Sequence, residues 1–89
     1  MRLSELPVGA QAIVRSVELG PSGEGRRLQE IGFVPGTRVR VERRAPMGDP
    51  TVYEIRSTRL ALRRRGASLV DVDLDVDAGT DVASDRTDG

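Results

Sequence analysis

The run Arg26-Arg27-Leu28-Gln29-Glu30-Ile31-Gly32-Phe33-Val34-Pro35-Gly36 constrains this chain more than any other stretch, because it imposes a helix, a stop and a strand in immediate succession. Leu28 and Ile31 stand three apart and share a helical face, leaving the rest of the circumference to Arg26, Arg27, Gln29 and Glu30. Gly32 follows where the backbone turns left-handed, which glycine does without steric penalty. Pro35 and Gly36 bar a return to helix, and from residue 37 to 41 polar and apolar side chains alternate as in a strand. A helix of two or three turns is not stable alone in water. Its apolar face, Leu28 with Ile31, is therefore expected to lie on a sheet.

The rest of the chain supplies that sheet. Leu3 and Leu6 are spaced for one helical turn before Pro7. Residues 11–19 read as a strand whose parity slips: Ala12 and Val14 fall on one face and Val17 and Leu19 on the other, which a β-bulge between them reconciles. Residues 20–25, rich in glycine, read as a loop into the helix with Ser22 as its cap. Val39 and Val41 point inward from the next strand, opposite Arg38, Arg40 and Glu42. Residues 45–50 form a turn of helix and strand breakers. Tyr53 and Ile55 point inward from one further strand, and Leu60 and Leu62 from another. The charged corner 63–66 has room for one tight helical turn. Between 69 and 76, Val70, Val72, Leu74 and Val76 alternate with Asp71, Asp73, Asp75 and Asp77. Five short strands and one short α-helix predict an all-β fold, a small closed or nearly closed barrel. The folded domain is expected to span residues 1–76, with an acidic, disordered tail over 77–89.

Composition removes most chemistry from consideration. Cysteine and histidine are both absent, and with them disulfides, zinc-finger spacings, thiolate nucleophiles and imidazole acid–base catalysis. A chain of 89 residues holds one domain and leaves little room for an enclosed site. No apolar run approaches the roughly 18 residues of a membrane span, and no signal-like stretch opens the chain, so a cytoplasmic location is expected. Charge is balanced in total but divided along the chain: residues 1–70 carry 13 Arg against 7 Asp and Glu, whereas residues 71–89 carry 7 Asp against Arg86. A basic body favours an acidic partner, an anionic membrane surface or nucleic acid.

Leu3-Ser4-Glu5-Leu6-Pro7 with Gly9, the run from Arg27 to Gly36, Arg44-Ala45-Pro46-Met47-Gly48-Asp49-Pro50, and Leu60-Ala61-Leu62-Arg63 resemble, in order and spacing, the successive motifs of the FeoA family of ferrous iron transport proteins. The resemblance covers residues 1 to about 74. It implies an SH3-like barrel of about five strands with one short α-helix, working with the FeoB-type ferrous iron permease, whose cytosolic part is a GTP-binding domain. A related domain ends the iron-dependent repressors. Ser57 stands where relatives often have glycine, and the Asp-rich end lies outside the family pattern.

Glycines, prolines and leucines of these motifs serve turns and core, so a contact site has to come from exposed side chains. Arg26, Arg27 and Glu30 are expected to face outward beside the loop at 20–25. Met47, apolar at a turn tip with Arg43 and Arg44 shortly before it in sequence, suits an adaptable protein contact. Together these six form the candidate partner-binding surface. No metal ligand and no cofactor are assigned. Fe2+ favours imidazole with carboxylate, and alternate aspartates on a strand lie about 7 Å apart, too far to share one ion. A D-x-D-x-D calcium loop is broken by Val76 and Val82 where it needs glycine and glutamate. Nucleic acid is disfavoured because single-strand binding needs exposed aromatics, and only Phe33 and Tyr53 exist. A proline-rich ligand needs an aromatic groove for the same reason. The expected role is a non-enzymatic cytosolic accessory protein of ferrous iron uptake that docks on the permease. The alternatives are a regulatory module in metal-dependent transcriptional control and a weak transition-metal-binding domain.

Overall fold

In the computed structural model, residues 1–75 are described. Five strands, β1 (Gln11–Val17), β2 (Arg38–Arg44), β3 (Thr51–Ile55), β4 (Thr58–Leu62) and β5 (Val70–Leu74), form one antiparallel sheet in the order β4-β3-β2-β1-β5. A 3-10 turn at Leu3–Glu5 precedes β1, helix α1 (Glu24–Ile31) joins β1 to β2, and a single helical turn, α2 (Arg64–Ala67), joins β4 to β5. Val76 and the acidic segment 77–89 lie outside the described residues.

The alternation read from the sequence sets the faces. Val39, Val41, Tyr53, Ile55, Val70 and Val72 are buried, as are Leu3 and Leu6 from the opening turn. The inward residues of β3 and β5 join one core although two strands separate them in the sheet, so the sheet has to curl around that core. The expected bulge is present: the pairing of β1 with β5 shifts register between Val14 and Ser16, which turns Val17 back toward the core, but the strand ends there and Leu19, expected on the same face, is exposed. A second shift separates Val41 from Arg43 in the β2–β3 pair. The outer edge of β5 is covered by the chain start, where Arg2 bridges Asp71 and the Val72 amide donates to the Met1 carbonyl (2.8 Å).

Helix α1 departs from expectation at both ends. It begins at Glu24, so Glu24 and Gly25 belong to the helix and not to the preceding loop, and its N-cap is Gly23, with no side-chain cap from Ser22. Gly25 and Leu28 form the buried face. The reason is a backbone crossing: a Cβ on Gly25 would collide with the Glu18 carbonyl oxygen and stand 2.5 Å from Leu19 Cα. The helix docks on that contact, which rotates Ile31 to the rim, where it is 45% exposed. Phe33, fully buried just past the helix, fills the core in its place. Gly32 ends the helix at φ 137°, its amide donating to Gln29 and Leu28 carbonyls.

Three other expected core residues are less covered. Leu74 sits opposite Ala12 and shares its face, but at the end of an edge strand no element among the described residues lies over it, and it is half exposed. Leu60 and Leu62, on the other edge strand, are half-buried for the same reason. The outer face of the sheet is laced with ion pairs. Arg15 reaches Asp71 and Asp73, Arg38 reaches Asp75, Arg40 reaches Glu54 and Arg59 reaches Glu42. The basic strands and the acidic end of the domain are thus neighbours across the sheet, each exposed pair contributing about 0–1 kcal/mol.

Candidate functional site

The turn between β2 and β3 is fixed from several sides. Its ends are closed by Ala45 N to Pro50 O (3.0 Å) and Gly48 N to Ala45 O (2.8 Å). Asp49 Oδ1 accepts the Arg64 amide (2.8 Å), tying the turn to the start of α2. Arg44 Nε donates to Thr51 Oγ1 and its Nη2 to the Leu6 carbonyl, each at 2.9 Å, tying it to the chain start. This held turn thrusts Met47 into solvent at 94% exposure. Beside it, Arg43, Arg44, Ala45, Pro46, Pro50 and Val52 line an open cleft of about 350 Å³. An apolar, flexible side chain on a rigid stalk next to a cleft is well built for a protein contact.

Of the six side chains assigned from sequence, Arg44 is the one with internal work: half-buried and hydrogen-bonded, it supports the turn from beneath. Arg43 is exposed beside it. Arg26, Arg27 and Glu30 are exposed on α1, as expected, with the exposed Ile31 next to Glu30. The structure relates the two patches through a third feature that sequence reasoning missed. Glu24 from the first turn of α1, Asp49 from the turn, and Arg63 and Arg65 around α2 line one cleft of about 400 Å³. The α2 corner was legible as a charged turn, but that α1 and the Met47 turn flank it depends on packing alone.

A buried tyrosine lies beneath the turn. Tyr53 is 1% exposed, and burial pushes its hydroxyl above the ordinary tyrosine pKa, while the Thr51 hydrogen bond and the Arg44 charge pull it the other way. With Phe33 also buried, both aromatic rings of the chain are withdrawn from the surface. Among the described residues, no group of three or more His, Cys, Asp or Glu side chains converges as for a metal ion. The aspartates of β5 face arginines instead. No helix among the described residues is long and apolar enough to cross a membrane.

Comparison with known proteins places these features in company. Residues 1–74 match the model of the FeoA domain. A protein of Porphyromonas gingivalis named Fe(2+) transport protein A/Fe(2+) transporter FeoB fusion protein is 42% identical over 74 residues; the match covers 83% of this chain and 9% of that protein's length. A crystal structure of Stenotrophomonas maltophilia FeoA complexed with zinc, described as a prokaryotic SH3 domain protein, is 43% identical. It superposes with a TM-score of 0.74 over 82% of this chain and 89% of the other. A manganese-dependent transcriptional repressor aligns with a TM-score of 0.73 over 83% of this chain and 41% of its own, at 20% identity, a likeness of fold.

Proposed function

The chain belongs to the FeoA domain family, and from that premise we propose that it is a non-enzymatic accessory protein of ferrous iron uptake, cytoplasmic, docking on the cytosolic GTP-binding part of a FeoB-type permease. The observation that carries this reading is the Porphyromonas gingivalis polypeptide, in which a segment 42% identical to this chain shares one covalent chain with a transporter named FeoB. Parts joined in one chain meet at effective concentrations on the order of millimolar, so a modest surface suffices for a working contact.

Contact, without bond chemistry, is the mechanism. Met47 on its held turn supplies the apolar anchor, and Arg43 beside it, with Arg26, Arg27 and Glu30 on α1, supplies charges without an internal ion-pair partner among the described residues. Such charges steer encounter and fix orientation more than they add affinity, so association slows as salt rises. Bound there, the domain biases the permease's nucleotide cycle or transport by favouring one of its conformations. Amide chemical-shift mapping of this protein on addition of the permease's soluble domain tests the surface. Shifts are expected at Arg26, Arg27, Glu30, Arg43 and Met47; shifts centred on the β4 edge with none at Met47 would remove the proposed face.

A further inference from the structure

We propose that the groove between the start of β2 and the β3–β4 turn is a carboxylate clamp formed by Arg38, Arg40 and Arg56, and that its occupant is the aspartate-rich segment 76–89 of this same chain. The proposal rests on register and charge and is independent of the permease reading. Val39 pairs with Ile55; Arg38 precedes the first, Arg56 follows the second in the β3–β4 turn, and the two arginines line the same clefts. Like charges held this near each other repel. An anion between them reverses the sign. Arg38 and Arg56 line two adjoining clefts: one of about 180 Å³ with Gln11, Arg40, Glu54 and Ser57, and one of about 430 Å³ with Pro35, Gly36 and Thr37.

An aspartate already enters this site from the chain itself. Asp75 Oδ2 lies 3.0 Å from Arg38 Nε, and the Asp75 side chain is 7% exposed against 65% for Arg38, so the carboxylate is seated while the guanidinium still faces solvent. Arg40 meets Glu54 at 3.4 Å, a loose pair. Arg56 is exposed and without an ion-pair partner among the described residues. Its backbone and that of Ser57 sit at φ 47° and 67°, the two-residue turn that sets this arginine over the cleft.

The described chain stops at the edge of this clamp. The Asp75 amide donates to the Gln11 carbonyl (2.8 Å), and Gln11 pairs with Arg40, so the last described residue stands level with Arg40. Beyond it come Asp77, Asp81, Asp85 and Asp88 against Arg86 alone. From Asp75 to Arg56 is about 16 Å, three strand spacings across and two residues along. The six residues to Asp81 span up to about 20 Å. Asp77 is within reach of Arg40, and Asp81 of Arg56. Held there, the segment neutralises the outer basic face and competes in cis with any acidic segment offered from outside.

The full chain tests this directly, because it contains no cysteine and Ser84→Cys creates a single labelling position. A nitroxide at that position should broaden the amide signals of Arg38, Arg40, Arg56 and Ser57 by more than half in low salt. The broadening should be relieved near 0.5 M salt, where the screening length falls to roughly 4 Å, and also by Arg56→Glu or by replacing the four distal aspartates with asparagine. Arg56 is exposed, and retained dispersion of the core amides will show that its variant folds. Broadening spread evenly over Arg26, Arg27 and Arg63–Arg65, or insensitive to salt and to Arg56→Glu, would overturn the proposal. A synthetic peptide of residues 76–89 that shifted the Arg56 signals of the unlabelled full chain at stoichiometric amounts would also overturn it, by showing the clamp open to acidic segments in trans.

Discussion

Replacing Gly25 with alanine sets two physical effects against each other, and the structure decides between them. Gly25 has ordinary helical geometry, so helix propensity alone favours alanine by up to about 1 kcal/mol. The added Cβ, however, would strike the Glu18 carbonyl oxygen and lie 2.5 Å from Leu19 Cα and 2.8 Å from the Glu18 carbonyl carbon, all backbone atoms. Relief requires α1 to lift off the β1 exit, which stretches the 2.8 Å bond from Gly25 N to Leu19 O and uncovers Leu28, now 3% exposed. Overpacking costs about 1–3 kcal/mol, a weakened buried hydrogen bond about 1 kcal/mol, and partial loss of Leu28 burial about 1 kcal/mol. Against the propensity gain, the net loss is about 2–4 kcal/mol. A domain of this size holds about 4–11 kcal/mol in all. Urea unfolding should show a lower midpoint with an unchanged slope, and the melting temperature should fall by about 10 °C or more. Gly23→Ala is the control: with φ 75° and nothing near its Cβ, it should lose about 1 kcal/mol from backbone strain alone. A Gly25→Ala protein as stable as the parent, or more so, would refute the close-approach argument.

Ser57→Gly should stabilise the domain by about 0.5–1 kcal/mol in urea unfolding, since a left-handed turn position without a Cβ relieves strain now carried by serine. Arg44→Ala should cost about 1.5–3 kcal/mol by removing two charge-assisted bonds beneath the turn, whereas Arg43→Ala should leave stability within about 0.5 kcal/mol; equal losses in thermal melts would contradict the supporting role of Arg44. Met47→Asp should likewise leave the melt within about 0.5 kcal/mol while weakening binding to the permease's soluble domain by about tenfold, or about 1.4 kcal/mol. Tyr53 holds its proton more tightly when folded, so the stability it contributes is complete below the unfolded tyrosine pKa near 10 and is lost as pH climbs from there toward the raised folded value. Denaturation midpoints measured across the alkaline range should therefore fall above about pH 10, and this slope should be absent in Tyr53→Phe.

Much of the sheet was legible because a half-buried strand writes its faces into every second residue. Val39 with Val41 and Tyr53 with Ile55 point where parity places them, and the slip between Val14 and Val17 is the observed bulge. Helix α1 was harder. Glycine-rich composition at 20–25 reads as a loop, yet Gly25 is helical, its missing side chain serving a backbone crossing that only the fold creates. That crossing also turned Ile31 outward, since helical spacing gives relative faces and leaves the absolute rotation to packing. Leu74 kept its expected face and lost its cover, because strand order is not written locally. Among the site residues, Met47 stood out as an apolar side chain in a turn. The bond from Arg44 to the Leu6 carbonyl, 38 residues away, has no local signature. The same holds for the cleft that brings Glu24 and Asp49 together with Arg63 and Arg65.

Whether this domain acts through an exposed contact face is decided by isothermal titration of this 89-residue chain into the soluble GTP-binding part of a FeoB-type permease. Saturable binding is expected in the presence of guanine nucleotide, with a dissociation constant that rises steadily with salt. Absence of binding in low salt with GDP and with a non-hydrolysable GTP analogue alike would contradict it.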